Sequence, residues 1–471
     1  MSQQSSTAPA RRPGPPTPAP GRPGGPAGMP PPAPPGQLTT TAPVLPARGG
    51  GLRAVVRSAF EGTPGRMRVI AAVVALAAAV FGVVGANSLW TSSAALERAD
   101  HNTTQVVRVQ SIYSDLVRAD AAATNAFLVG GLDTTGQGPA YDEAVAHVAA
   151  TVAAAAEAQP ADGAALGALN QQIQTYTSLV EQARAYNRQG LPVGATYLTN
   201  ASTGLRSGAL PIVTLLTQAN TDRANAEFRQ SSNGLALGIS GVVALLVLLG
   251  GLLWLARRSH RYLNVPVLVA VGLVLVALVA GAFTLGQVGS TVTTVRGTVF
   301  DTTLDLATIQ SSAYDAKANE SLTLISRGSG QAFEKAWQGQ STLVKTTIGY
   351  IDTAGDATLS TDLNAKWAAY SAKHQEIRSQ DDGTKTVASN WDEAVRLAGL
   401  PTSTAGSANA TFDAFSQATA DGLATYSQQT SDQVLAPRTA VTIVGWALLL
   451  LCLAAAGLAA RGFGQRLEEY R

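Results

Sequence analysis

The chain has 471 residues, of which 46% are hydrophobic and only 14% charged, with 46 glycines and 23 prolines. Charge this far below the ~25% usual in soluble domains excludes a single ordinary soluble domain and points to a membrane. A lone cysteine, Cys452, excludes an intramolecular disulfide framework and a Cys-based metal site, and the net charge of +2 says less than its uneven distribution along the chain.

Residues 1–50 hold 15 of the prolines and no acidic residue. With so little apolar surface they read as a disordered, partly polyproline II cytoplasmic tail. Pro30-Pro31-Pro32 and Pro34-Pro35 suit an aromatic groove on a partner, although a plain spacer is the simpler reading. Thr39, Thr40 and Thr41 are phosphate acceptors on the same terms, with a polar linker as the alternative. A basic juxtamembrane segment follows at 51–68, and Leu52 to Phe60 within it suits an interfacial helix on an anionic leaflet.

Four stretches without charged side chains come next, at 69–90, 234–256, 265–287 and 440–460. Each is long enough to cross about 30 Å of hydrocarbon at about 1.5 Å per residue. The first starts too deep in the chain to be a cleaved signal peptide and reads as an anchor. Pro266 at the start of the third suits the first turn of a helix.

Charge gives the orientation. Segments 1–68, 257–264 and 461–471 carry 14 basic and 3 acidic residues, whereas 91–233 and 288–439 carry 19 basic and 28 acidic ones. The positive-inside rule then puts both termini and the basic loop with Arg257, Arg258 and Arg261 in the cytoplasm, and the two long segments outside.

The halves repeat. Asp120-Ala121-Ala122-Ala123 recurs as Asp315-Ala316-Lys317-Ala318 at an offset that also superposes the first span on the third. Tyr141-Asp142-Glu143-Ala144 is matched in order by Phe333-Glu334-Lys335-Ala336. The chain therefore reads as two copies of a span, an extracytoplasmic domain and a span. Within each domain the apolar spacing, as in Val107, Ile112, Leu116, Ala119, Ala123 and Phe127, predicts amphipathic helices of a four-helix bundle. Breaks are expected at Gly130-Gly131, Gln159-Pro160, Gly190 to Pro192 and around Ser202 to Gly204, then at Gly328 to Gly330, Thr353 to Gly355, Gly383 and Pro401. The first and last helices of each domain should run directly into the spans. The expected fold class is all-α and integral to the membrane.

Catalytic patterns are missing. His101, His147, His260 and His374 are scattered, and no phosphate-binding loop or dinucleotide fingerprint opens a helix. The expectation is therefore no enzyme, no cofactor and no metal, and the charge pattern does not call for nucleic acid. The spans also lack the ionisable residues that coupled transporters place near the midplane, which disfavours transport.

The run Ser114 to Asp120, then Phe127 to Gly131 and Tyr141 to Ala144, resembles the first helix hairpin of four-helix-bundle sensor domains of bacterial chemoreceptors and histidine kinases. The whole layout is similar to that of the GlnX family of actinobacterial membrane proteins. That resemblance implies a relay in which an extracytoplasmic substrate-binding lipoprotein reports glutamate or aspartate, and the membrane protein passes the signal to a cytoplasmic Ser/Thr kinase. A membrane scaffold or transporter-associated subunit is the alternative. If an extracytoplasmic domain binds a small acid itself, the guanidinium groups of Arg108, Arg118, Arg206 and Arg223 are the candidates, with Asp120 and Asn125 as partners. Surface ion pairing is the plainer reading of these residues. Arg257, Arg258 and Arg261 are candidates for contact with a cytoplasmic partner. Sensor bundles often pair, which here means either a homodimer or a pseudo-dimer of the two copies.

Overall fold

The computed structural model describes residues 63–130, 137–259, 264–383 and 388–468. The proline-rich tail with Thr39 to Thr41, the segment from Leu52 to Phe60, His260 and Arg261 lie outside the described residues.

The described residues are helical throughout, with short connections and no strand among them. The order is α1 (Thr63–Val129), α2 (Gln137–Ala158), α3 (Gly163–Arg188), α4 (Val193–Gly204), α5 (Leu210–Ser231) and α6 (Leu235–Ser259), then α7 (Val265–Val295), α8 (Asp301–Ile325), α9 (Gln331–Thr353), α10 (Ala357–Asp382), α11 (Trp391–Ala398), α12 (Ala408–Leu435) and α13 (Arg438–Glu468). A π-turn at Leu205–Ala209 carries α4 into α5, and another at Arg296–Phe300 carries α7 into α8. The break expected around Ser202 to Gly204 is therefore absent. A π-turn inserts one extra residue but keeps the backbone hydrogen-bonded, so the axis continues.

Local chemistry sets the ends. Asp356, Asn390 and Ser407 cap α10, α11 and α12 by accepting from the backbone N–H three residues on, at 3.0, 3.2 and 3.0 Å. Pro266 lies in the first turn of α7, where its missing N–H costs nothing. Gly355 closes α9 with φ of 107°, a left-handed geometry that a side chain would strain.

The result is four rods, Gly65–Val129, Val193–Arg258, Val265–Ile325 and Ala408–Glu468, of 65, 66, 61 and 61 residues. The first helix of each domain runs directly into its span as expected, but the last does not: the second rod breaks at Ser232 to Gly234, where glycine interrupts the helix, and the fourth at Ala436-Pro437, where proline lacks the N–H to continue it. Each contains a stretch long and apolar enough to cross a membrane, so the chain is a multi-pass membrane protein. Outside the apolar stretches, the rods enclose two bundles. Bundle 1 adds α2 and α3 to the first two rods, and bundle 2 adds α9, α10 and α11 to the last two. The central rod is α1, which packs against α2, α5, α6, α8, α12 and α13 and so belongs to both bundles and to the apolar layer.

That layer is filled by Val74, Ala78, Phe81, Leu248, Val274 and Leu448 facing inward, while Leu76, Leu246, Val279 and Leu450 are 60–64% exposed on the outer face. Apolar side chains outward are the surface that lipid requires. Helices approach closely where residues are small: a Cβ added at Gly82 would lie 2.6 Å from the Cβ of Cys452 on α13. Gly82→Val is accordingly expected to cost about 1–3 kcal/mol. Gly272→Val, at a position where an added Cβ meets nothing within 4 Å, should cost much less. Thermal unfolding of the two variants in detergent checks this, and equal losses would refute the packing argument.

Polar rungs fix the register where the apolar layer ends. Trp90 and Trp446 lie with ring centroids 4.7 Å apart, Arg438 pairs with Glu97 at 2.8 Å, and Arg98 pairs with Glu227 at 2.9 Å. Each exposed pair contributes little energy, so their effect is on register.

Candidate functional site

The two copies meet along α1, α8 and α12, and the seam is built on charge. Asp120 on α1 is fully buried. It accepts from Ser202 Oγ at 2.6 Å, from the Arg206 guanidinium at 2.8 Å and from the Tyr176 hydroxyl at 3.4 Å. The other end of the Arg206 guanidinium pairs with Asp315 on α8, and Gln340 donates to the second Asp315 oxygen at 2.8 Å. The two aspartates that head the repeated motif thus share one arginine.

The π-turn explains how Arg206 gets there, because the added residue turns the side chains after Gly204 out of the ordinary helical register. Ser202 lies one turn earlier and its carbonyl accepts a further bond from Arg206 at 3.1 Å. Burial works against the guanidinium's charge, but the carboxylates of Asp120 and Asp315 outweigh it and hold Arg206 above its ordinary pKa. Burial, reinforced by Asp120, keeps the Tyr176 hydroxyl well above its usual range, so it stays a neutral donor.

On another side of the seam is a cleft of about 280 Å³ between α1 and the helices α8 and α12. Arg118, Asn125, Lys317, Asn409, Phe412 and Asp413 line it. Asn125 donates to Asn409 Oδ1 at 2.8 Å, and Arg118 reaches Glu143 only at 3.4 Å. Tyr314, at its edge, donates or accepts at 2.6 Å with Ser416, and burial raises its pKa.

Behind Lys317, bundle 2 holds a buried ionic chain. Lys317 pairs with Glu320 at 2.6 Å, and Glu320 receives the His374 ring at 2.9 Å and the Tyr370 hydroxyl at 3.2 Å. His374 reaches on to Glu334 at 3.2 Å, which Arg378 approaches at 3.4 Å. Trp337 stacks on the His374 ring at 3.6 Å with 8° between the planes. Burial would raise the Glu320 carboxyl, but Lys317 and His374 hold it down at about 2. Burial would likewise lower His374, yet its bonds to Glu320 and Glu334 raise it above 6.5.

Of the residues singled out in the sequence, the structure joins Asp120 to Arg206 and places Arg118 and Asn125 together in the cleft. Arg108 and Arg223 lie elsewhere. Arg108 donates to Gln105 at 2.5 Å, and Arg223 pairs with Asp162 at 2.9 Å. Arg257 and Arg258 are exposed in the last turn of α6. Sequence reading missed Lys317, Glu320, His374 and Asn409. The three-residue step from Lys317 to Glu320 was the available signal, since it puts both on one helix face. Among the described residues no group of three or more His, Cys, Asp or Glu is placed to hold a metal.

Residues 95–229, which span bundle 1, match the family described as actinobacterial sensor domain. No curated protein and no solved structure matches the chain. The similarity of bundle 1 to these sensor domains supports a sensor role.

Proposed function

We propose that the protein relays an extracytoplasmic signal across the membrane to a cytoplasmic partner. The observation that carries this reading is continuity in two of the rods: α1 runs unbroken from the bundles into its apolar stretch and α7 passes into α8 through a π-turn, whereas the second and fourth rods are interrupted at Ser232 to Gly234 and at Ala436-Pro437. A shift, tilt or rotation at the seam is then delivered to the other end of the same helices. The positive-inside rule applied to Arg257, Arg258 and the neighbouring basic residues puts both termini and the middle loop in the cytoplasm, with both bundles outside.

The resemblance to the GlnX layout supplies the finer content. The signal is a nutrient such as glutamate or aspartate, presented by an extracytoplasmic substrate-binding protein, and the receiver is a Ser/Thr kinase acting on cytoplasmic targets. The chain itself performs no catalysis and needs no cofactor in this scheme.

Crosslinking and pull-down of the full-length protein from native membranes, with and without added glutamate or aspartate, tests the relay. Recovery of a binding protein and a cytoplasmic kinase together is the expected result. Recovery of transporter permease subunits alone overturns it in favour of an accessory subunit. Deleting residues 1–50, or the loop from Arg257 to Arg261, should abolish the cytoplasmic interaction while leaving insertion intact. An unchanged interaction after both deletions counts against the relay.

A further inference from the structure

We infer that the cleft between the two copies is a binding site for one small zwitterion, a molecule carrying both a carboxylate and a protonated amine. The inference rests on the sensor reading and adds a route by which the chain senses a ligand with its own residues. At about 280 Å³ the cleft lies just under the ~300 Å³ at which pockets for drug-sized ligands begin, so it suits a compact molecule.

The decisive group is Asn125, which is 2% exposed. Its amide orientation is fixed by its neighbour. Asn409 spends its N–H groups on the carbonyls of Ala398 at 3.1 Å and Leu400 at 2.7 Å, so it presents its oxygen to Asn125. Asn125 must therefore donate to it, which leaves the Asn125 Oδ1 buried behind the wall of the cleft with no hydrogen-bond partner among the described residues. A buried acceptor left unsatisfied costs about 1–3 kcal/mol, and a donor arriving in the cleft removes that cost.

Charge decides what the donor is attached to. Arg118 has a side chain 33% exposed, and among the described residues its ion pair is the long one with the largely exposed Glu143. Such a pair is worth little, and a bidentate carboxylate is a better partner for a guanidinium. Lys317 adds positive potential to the same wall, although Glu320 already neutralises it. Opposite in sign, Asp413 lines the cleft too, beside the ring of Phe412. A protonated amine gives Asp413 an opposite charge and is a donor for Asn125 Oδ1. A plain carboxylate leaves Asn125 and Asp413 unserved, while a plain amine faces two cations. Only a molecule with both ends answers every group.

The position gives the site a consequence. Its walls come from α1 of the first copy and from α8 and α12 of the second, so occupancy draws the copies together along α1 and α8, which continue into the apolar layer.

Calorimetric titration of the full-length protein in lipid nanodiscs with the protein amino acids, with acetate and with methylammonium tests this. At least one amino acid is expected to bind with one site per chain, with acetate and methylammonium each weaker by about tenfold or more. Arg118→Gln should weaken the amino acid by about tenfold or more without lowering the unfolding temperature, and Arg118→Lys should restore part of the affinity. Asp413→Asn should weaken the amino acid and spare acetate. Absence of binding by every amino acid, acetate binding as tightly as the best of them, or an Arg118→Gln variant of unchanged affinity overturns the site. A chain that binds no amino acid yet recruits a cytoplasmic partner loses the site and keeps the relay. Binding without recruitment does the reverse.

Discussion

Arg206→Ala is expected to destabilise the full-length protein by about 3 kcal/mol or more, because it strands a fully buried Asp120 carboxylate and frees Asp315. Ser202 and Tyr176 would remain as donors, but neither carries the positive charge that makes burial of the carboxylate tolerable. Two companions separate the charge effect from packing. Asp120→Asn keeps a polar group of the same size for Ser202 and should cost less than Arg206→Ala. Joining Arg206→Met to Asp120→Leu and Asp315→Asn removes all three charges and should recover much of the loss, as replacement of a buried ionic group by neutral ones commonly does. Unfolding followed by tryptophan fluorescence in nanodiscs reads all three. A loss under about 1 kcal/mol for Arg206→Ala would mean that the bridge is solvated and does not fix the copies.

The second large effect belongs to the ionic chain in bundle 2. Glu320→Ala leaves Lys317 and the His374 imidazolium buried without their shared carboxylate, and about 3–5 kcal/mol is the expected cost. The same chain makes stability depend on pH in two windows. Glu320 is depressed, so its contribution is complete above the ordinary carboxyl value of 4.5 and is lost as pH falls toward about 2. His374 is raised, so its contribution is complete below 6.5 and is lost as pH rises past 6.5 through the folded-state value. Glu320, Glu334, Lys317, Arg378 and Tyr370 all face this network, and the two carboxylates outweigh the cations at the imidazole. Chemical denaturation at a series of pH values should show stability falling on the alkaline side, and His374→Gln should flatten that slope. An alkaline slope that survives His374→Gln would assign it to another group.

The all-α class and the four apolar stretches were legible because each signal is local. A run of about 20 uncharged residues declares a span, and a three-to-four-residue apolar period declares a helix face. The first turn at Pro266 was legible for the same reason, since proline fixes its own backbone angle. Arginine and aspartate were likewise recognisable as the chemistry of the seam, but their pairing was not. Arg206 and Asp120 lie 86 residues apart, and the turn that aims one at the other is a π-turn, whose extra residue leaves no mark in Leu205 to Ala209. Asn125 and Asn409 are 284 residues apart, and their contact exists only once the copies are packed. His374 joins Glu320 across 54 residues and two helices, beyond the reach of any helical period.

Because α1 is shared by both bundles, the order of synthesis matters for assembly. The first copy leaves the ribosome with one face of α1 still uncovered: Asn125 has no Asn409, Arg206 has one carboxylate in place of two, and Ser93 waits for Thr442, 349 residues away. Contacts so distant in sequence close late and at a high entropic cost. A nascent chain that ends after α6 therefore carries an incomplete seam, and the second copy serves the first as the template that finishes its folding.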